Sequence, residues 1–345
     1  MSEMEKAQLI HHLQENFDVP EEMIQLLISQ ITDPDLKNNL PRIKKGLKIE
    51  DEYQSIFGAL PWVKNIHGLN QKQEKKHKKE YQTPDYSLLI EDSQKKRFPL
   101  LVDVKCVEGD KQSCQLSPKQ ITSLNNYSRD TKTNLLIAIY WKKYRFWTHN
   151  CLKNFTGKKK NKIKLNEAVS NDLSHILSDY IFQVTKPFYR KTIFSEGGEV
   201  LIGTHEKYGN IQKVFIGQEL DQLEECTIVE SCLIDDAFIM KEIELIENED
   251  SICQVEVVDK VPQLIKLSNW IIGNLFTIKI DITEKKDDIL VSEYNRYHIV
   301  ELAKRLGFDV SYPLPPEKNK CTDRLFEKAY FNTVVMENYL KSKSL

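Results

Sequence analysis

Residues 83–105, TPDYSLLIEDSQKKRFPLLVDVK, decide the fold. Two apolar runs, Tyr86–Ile90 and Phe98–Val104, flank a charged turn, Glu91–Arg97. Folded as an antiparallel hairpin centred on Gln94, the stretch sets Asp85 opposite Asp103, since each lies nine residues from that centre. Directly opposed side chains have Cβ atoms roughly 4.5–5.5 Å apart, close enough for two carboxylates to grip one divalent cation. The two-residue period of a strand places Asp103 and Lys105 on one face. Two carboxylates so close repel each other, and a metal ion makes the arrangement favourable.

Working outward, residues 47–60 have helical spacing of Leu47, Tyr53, Ile56, Phe57 and Leu60, with Glu52 among them. Trp62–His67 is a short strand. After the hairpin, Ser117 and Pro118 mark a helix start, and the helix runs to about Arg129. Asn134–Trp141 is a continuous apolar run that fits a strand buried on both faces, and Tyr144–Thr148 pairs with it. Residues 3–45 read as helices, and Glu167–Phe182 as another. From Thr192 to Ile282 short β-like runs take over, Thr227–Leu233 and Leu275–Ile282 among them. Ser292–Leu306 is a helix stopped by Gly307, then comes a strand at 308–312 and a closing helix, Thr322–Tyr339. The expected domains are a helical cap at 1–45, a catalytic core at 46–185 and a β-rich accessory domain at 190–345.

Pro84-Asp85, followed 18 residues later by Asp103-Val104-Lys105, resembles the motif of the PD-(D/E)xK nuclease superfamily. An acidic-x-Lys triplet alone carries little, because Asp130-x-Lys132 and Glu284-x-Lys286 also match. What distinguishes this one is that it ends an apolar strand, with Pro-Asp opening the strand before it. The resemblance, over about residues 46–150, implies an α/β fold: a restriction-endonuclease-like mixed central sheet flanked by helices. With it go the N-terminal helical segment and a C-terminal β-rich α+β domain. The resemblance further implies that Asp85 and Asp103 hold Mg²⁺ or Mn²⁺, with the Val104 carbonyl as a further ligand. Lys105 would orient or activate the attacking water. Glu52 matches the acid that many members carry on the first core helix, and Gln120 the glutamine of several subfamilies. Tyr127 lies seven residues beyond Gln120, whereas the Gln-x-x-x-Tyr subfamily spaces the pair by four. A homodimer is expected by resemblance alone.

Charge points the same way. The net charge is −2, but residues 61–164 hold 23 Lys/Arg against 9 Asp/Glu, while 215–260 hold 2 Lys against 14 Asp/Glu. A basic block around a candidate metal site suits a polyanion, DNA before RNA. Lys72, Lys75, Lys76, Lys78 and Lys79, with Lys158, Lys159 and Lys160, either contact phosphates or form solvated charge runs. Trp141, Tyr144 and Trp147 either stack on bases or fill the core.

The seven cysteines form no Cys-x-x-Cys pair, as expected of a reduced cytoplasmic chain. No apolar run approaches the ~18 residues of a membrane span. Residues 190–345 carry no recognised catalytic motif and are assigned to targeting, dimerisation or a protein partner. The expected function is a metal-dependent deoxyribonuclease, an endonuclease, acting in restriction, defence or repair. The alternative is a non-catalytic nucleic-acid-binding or scaffold protein built on the same core.

Overall fold

The computed structural model describes residues 3–71, 77, 79–91, 95–157, 160–179, 181–195, 197, 203–261, 263–273 and 291–311. The turn at 92–94, the run 275–282 and the closing helix expected at 322–339 lie outside them. Backbone contacts divide the described chain into two units, one covering 3–58 and 62–173, the other 59–61 and 174 onward.

The first unit opens with three helices, α1 (Glu3–Asn16), α2 (Glu21–Ser29) and α3 (Pro34–Gly58). Ala7, Ile10, Ile24, Ile31 and Leu40 form their common core. The Asp33 carboxylate accepts from the amides of Asp35 and Leu36 at 2.9 and 3.1 Å and so caps α3. The helix then runs 25 residues without a break, past the boundary expected at residue 45 and with Pro41 inside it. Its last turns bury Tyr53, Ile56 and Phe57 completely.

A five-stranded sheet follows: β1 (Val63–Gly68), β2 (Tyr86–Glu91), β3 (Arg97–Val107), then β4 (Ser113–Leu116) outside it, helix α4 (Pro118–Asp130), β5 (Leu135–Trp141) and β6 (Phe146–Asn150). The order is β1-β2-β3-β5-β6. The β3–β5 pair, joined through α4, is parallel, and the others are antiparallel. The sheet is therefore mixed, and the unit is α/β. All seven residues of β5 are buried, as a strand covered on both faces requires. Trp141 and Trp147 are 1% and 0% exposed, so both fill the core. β4 pairs with β7 (Asn161–Lys164) as a separate ribbon, which leads into the short helix α5 (Leu165–Ser170).

Glu167–Phe182 is not one helix. α5 stops at Ser170, a 3₁₀ turn covers Ser174–Leu177, and β8 (Ile181–Val184) follows. Tertiary partners end α5: Asn150 Nδ2 donates to the carbonyls of Ala168 and Asn171 at 2.9 and 3.1 Å. The Asp172 carboxylate accepts from the His149 amide at 2.8 Å. The apolar spacing of Leu173, Ile176, Leu177 and Ile181 belongs to core positions in a loop, the 3₁₀ turn and β8.

In the second unit β9 (Phe188–Ser195), β10 (Gly203–His205), β11 (Gly209–Gly217), β12 (Glu224–Glu225), β13 (Lys241–Glu247) and β14 (Ile252–Val258) build an antiparallel sheet. Its main path is β10-β11-β9-β14-β13. Between β12 and β13 lies α6 (Ile228–Ala237), where a β-like run was expected. The Thr227 hydroxyl and the Glu230 carboxylate close a capping box there, which outweighs the β-branched residues that follow. β15 (Gln263–Lys266), α7 (Leu267–Gly273), α8 (Val291–Arg305) and β16 (Asp309–Ser311) complete the unit. Gly307, with φ +63°, ends α8 as expected. No helix among the described residues is long and apolar enough to cross a membrane.

Candidate active site

Three carboxylates and one ammonium gather where β2 begins, beside the C-terminal half of β3. The β2–β3 register pairs Tyr86 with Val102 and Glu91 with Arg97, so residues 85 and 103 are the next opposed positions. Asp85 Oδ2 accepts a hydrogen bond from the Val104 amide at 2.7 Å. Asp103 is 1% exposed. Its Oδ2 forms an ion pair with Lys105 Nζ, and neither of its oxygens accepts any further hydrogen bond among the described residues. Lys105 Nζ also donates to the Val104 carbonyl at 2.9 Å, so the backbone oxygen expected as a metal ligand is engaged by the lysine here.

The third acid is Glu50, one turn before Tyr53 on α3. Burial, then the Asp85 carboxylate, push its carboxyl up to about 8. Burial and the Asp103 carboxylate push Asp85 up to about 7. Burial opposes the charge on Lys105, but Asp103 and Asp85 hold its ammonium above the ordinary lysine range. Cys114 on β4 is also within the field of Lys105, and burial drives its thiol up to about 12, leaving it neutral.

Glu52, the helix acid chosen from the sequence, is not brought to this cluster. Burial raises its carboxyl, and its strongest charged neighbours are Lys48 and Lys142. Glu50's are Asp85, Lys105 and Asp103. Gln120 is turned back on its own helix. Its Oε1 accepts from the Ser117 backbone amide at 3.0 Å, while the Gln120 backbone amide donates to Ser117 Oγ at 3.2 Å, a closed capping box. Ser117→Ala and Gln120→Ala will each cost about 1 kcal/mol of stability. Chemical denaturation checks this, and variants as stable as wild type contradict it. Lys79 and Lys160 are exposed. Lys72, Lys75, Lys76, Lys78, Lys158 and Lys159 lie outside the described residues.

The donor set, carboxylate oxygens with no sulfur or imidazole among them, suits a hard ion such as Mg²⁺ or Mn²⁺. So does the Asp103 carboxylate, buried with lone pairs unused. Among the described residues no group of three or more His, Cys, Asp or Glu side chains is gathered closely enough to hold a metal ion. Asp85 and Asp103, opposed across the hairpin, are the two carboxylates that could hold one.

The clustering has a consequence for stability. Asp85 and Glu50 bind protons more tightly folded than unfolded, where their values are roughly 3.9 and 4.3. Below about pH 4 both states are protonated. From there to about pH 8 the unfolded chain ionises first, so stability falls with rising pH and the loss is complete above the folded values. In chelator, Asp85→Asn will remove on the order of 2 kcal/mol of that loss, after discounting for solvent screening. Melting curves at pH 5 and pH 8 test it: a wild-type minus variant difference that does not change with pH contradicts it.

No family model matches the chain, and no curated protein matches it. Among solved structures it is similar to Hjc of Archaeoglobus fulgidus, a Holliday junction resolvase from an archaeal hyperthermophile. The identity is 15%, and the alignment covers 39% of this chain and 95% of that one. The TM-score is 0.29, a value that does not establish a shared fold.

Proposed function

We propose that the protein is a metal-dependent nuclease that hydrolyses phosphodiester bonds in DNA, with Asp85, Asp103, Lys105 and Glu50 as its working groups. One observation carries the reading: Asp103 is buried with Lys105 against it, opposite Asp85 across the hairpin, with Glu50 beside them. Like-charged buried groups are retained at a cost in stability, and such clusters concentrate at functional sites.

The chemistry follows from the charges. When bound, a divalent ion supplies positive charge to the phosphoryl oxygens and acidifies water. Lys105, held protonated by Asp103, places a fixed cation where a non-bridging oxygen gains charge in the transition state. Glu50, on α3 beside the pair, is placed to take the proton that water loses as its oxygen bonds to phosphorus. The ester bond to the leaving oxygen breaks in the same displacement, and that oxygen takes a proton from bulk water as it departs. The basic residues of 61–164 supply salt-sensitive phosphate contacts. The second unit is assigned to target choice, dimerisation or a protein partner.

The test is incubation of plasmid and single-stranded DNA with Mg²⁺ or Mn²⁺. Wild-type protein is expected to cleave at least one of them. The engagement of the Val104 carbonyl by Lys105 favours a second reading, in which the core binds DNA without cutting it. Retention of DNA in a gel shift with no cleavage in any divalent metal would select that one.

A further inference from the structure

Beside the carboxylates lies a cavity of about 230 Å³, walled by α1, α3, the end of β1 with the turn after it, and the start of β2. The carboxylates Glu50, Asp51 and Asp85 line it, together with two histidines and the carboxamides of Gln8, Gln54 and Gln71. Among the described residues no Lys or Arg lines it. A phosphate is held by cations and amide hydrogens and repelled by carboxylates, so these walls suit a group that brings hydrogen-bond donors and no negative charge.

Carboxamides present an acceptor and two donors side by side, the pattern that matches the edges of nucleobases. Two of the polar groups are fixed in orientation. Gln71 Nε2 donates to the Pro84 carbonyl at 3.0 Å. His11, 6% exposed, has Nε2 at 2.8 Å from Asp51 Oδ2. Pockets for drug-sized ligands run roughly 300–1,000 Å³, so this one is nearer the size of a single base than of a base pair.

We propose that the cavity receives a single unpaired nucleotide next to the phosphate under attack, so that the substrate is an unpaired end, flap or gap strand. The inference rests on the nuclease reading. Continuous duplex would have to surrender a base first, at a cost of a few kcal/mol.

Gly68 offers a way to fill the cavity. A Cβ built there meets nothing closer than Tyr86 Cε1 at 3.9 Å, so Gly68→Leu starts its side chain from the cavity wall without a clash at Cβ. The experiment compares a single-stranded oligonucleotide, a flap and a blunt duplex with bis(4-nitrophenyl) phosphate, a diester that has no base. Wild type is expected to favour the unpaired strands over blunt duplex at least tenfold in kcat/KM. In Gly68→Leu the ratio of oligonucleotide to nitrophenyl-ester activity is expected to fall at least tenfold. Gln8→Ala, which truncates a half-buried side chain, is expected to move that ratio the same way and serves if Gly68→Leu does not fold.

A second arm reads binding alone: 2-aminopurine in the unpaired strand, titrated in Ca²⁺, changes fluorescence as it leaves the stack for the cavity, and the change is lost in the variants. Equal cutting of duplex and single strands, or an unchanged ratio in both variants, overturns the proposal. If wild type hydrolyses neither DNA nor the small ester, the nuclease reading has failed. The fluorescence arm then decides the cavity by itself: a change lost in the variants keeps it as a nucleotide site, and no change removes it.

Discussion

Asp103→Asn will abolish cleavage, with a loss on the order of 10³-fold or more, the scale seen when a preorganised charge stabiliser is removed. The asparagine keeps the shape of the side chain in a space that is 1% exposed, so the effect is one of charge. Two things go with it. The group best placed to grip an ion loses its anionic oxygens, and Lys105 loses its nearest counter-charge. Asp85 remains in the field of Lys105 and keeps the ammonium partnered, so the fold survives. Thermal melting shows this separately from the cleavage assay, and Asp103→Ala provides a second variant. Wild-type rates in a folded Asp103→Asn protein would move the chemistry away from the hairpin altogether.

The second large effect separates two neighbours on one helix. Glu50→Gln will reduce cleavage about a hundredfold or more, and Glu52→Gln will change it less than threefold. Glu50 shares the field of Asp85, Lys105 and Asp103, whereas Glu52 answers to Lys48 and Lys142. Glu50→Gln should also stabilise the metal-free protein at pH 8 by roughly 1–2 kcal/mol, since it removes a charge that burial and Asp85 disfavour. Gain of stability with loss of activity is the signature of a group kept for chemistry. The reverse order, with Glu52→Gln inactive and Glu50→Gln active, would restore the assignment drawn from the sequence.

That pair also shows where sequence reading stops. Residues two apart on an α-helix point about 200° apart. The buried stripe of α3, Ile49, Tyr53, Ile56 and Phe57, leaves Glu50 on one flank and Glu52 on the other. Periodicity places both equally well; only the packing of α3 on the sheet decides which flank meets β2 and β3. The hairpin was legible because its pairing is local arithmetic: the observed register of Tyr86 with Val102 is the one that centres on Gln94. The start of α4 was legible for the same reason, since Ser117 and Gln120 cap it within one turn.

The break after α5 was not legible, because Asn150 and Asp172 act across 18 to 23 residues of chain. The start of α6 was a different kind of miss. Thr227 and Glu230 already spelled a capping box, and the β-branched residues beside them drew the strand reading instead. Lys-rich segments gave charge but no placement, and a cavity assembled from α1, α3 and β2 leaves no mark in any one stretch.

β3 is the middle strand of its sheet, with β2 and β1 on one side and β5 and β6 on the other. The register with β2 ends at Val102, so Leu101 and Val102 are laddered on both sides, whereas the backbone of Asp103 and Lys105 is laddered to β5 alone. On the β2 side the Val104 amide is held instead by the Asp85 carboxylate. Openings that must peel away two strands approach the free energy of global unfolding. The amides of Leu101 and Val102 should therefore be among the slowest in the unit to exchange with deuterium, while that of Gln71, outside the ladder, exchanges early. The candidate pair thus sits one step past the doubly laddered stretch, where a carboxylate of the site itself takes the place of a neighbouring strand.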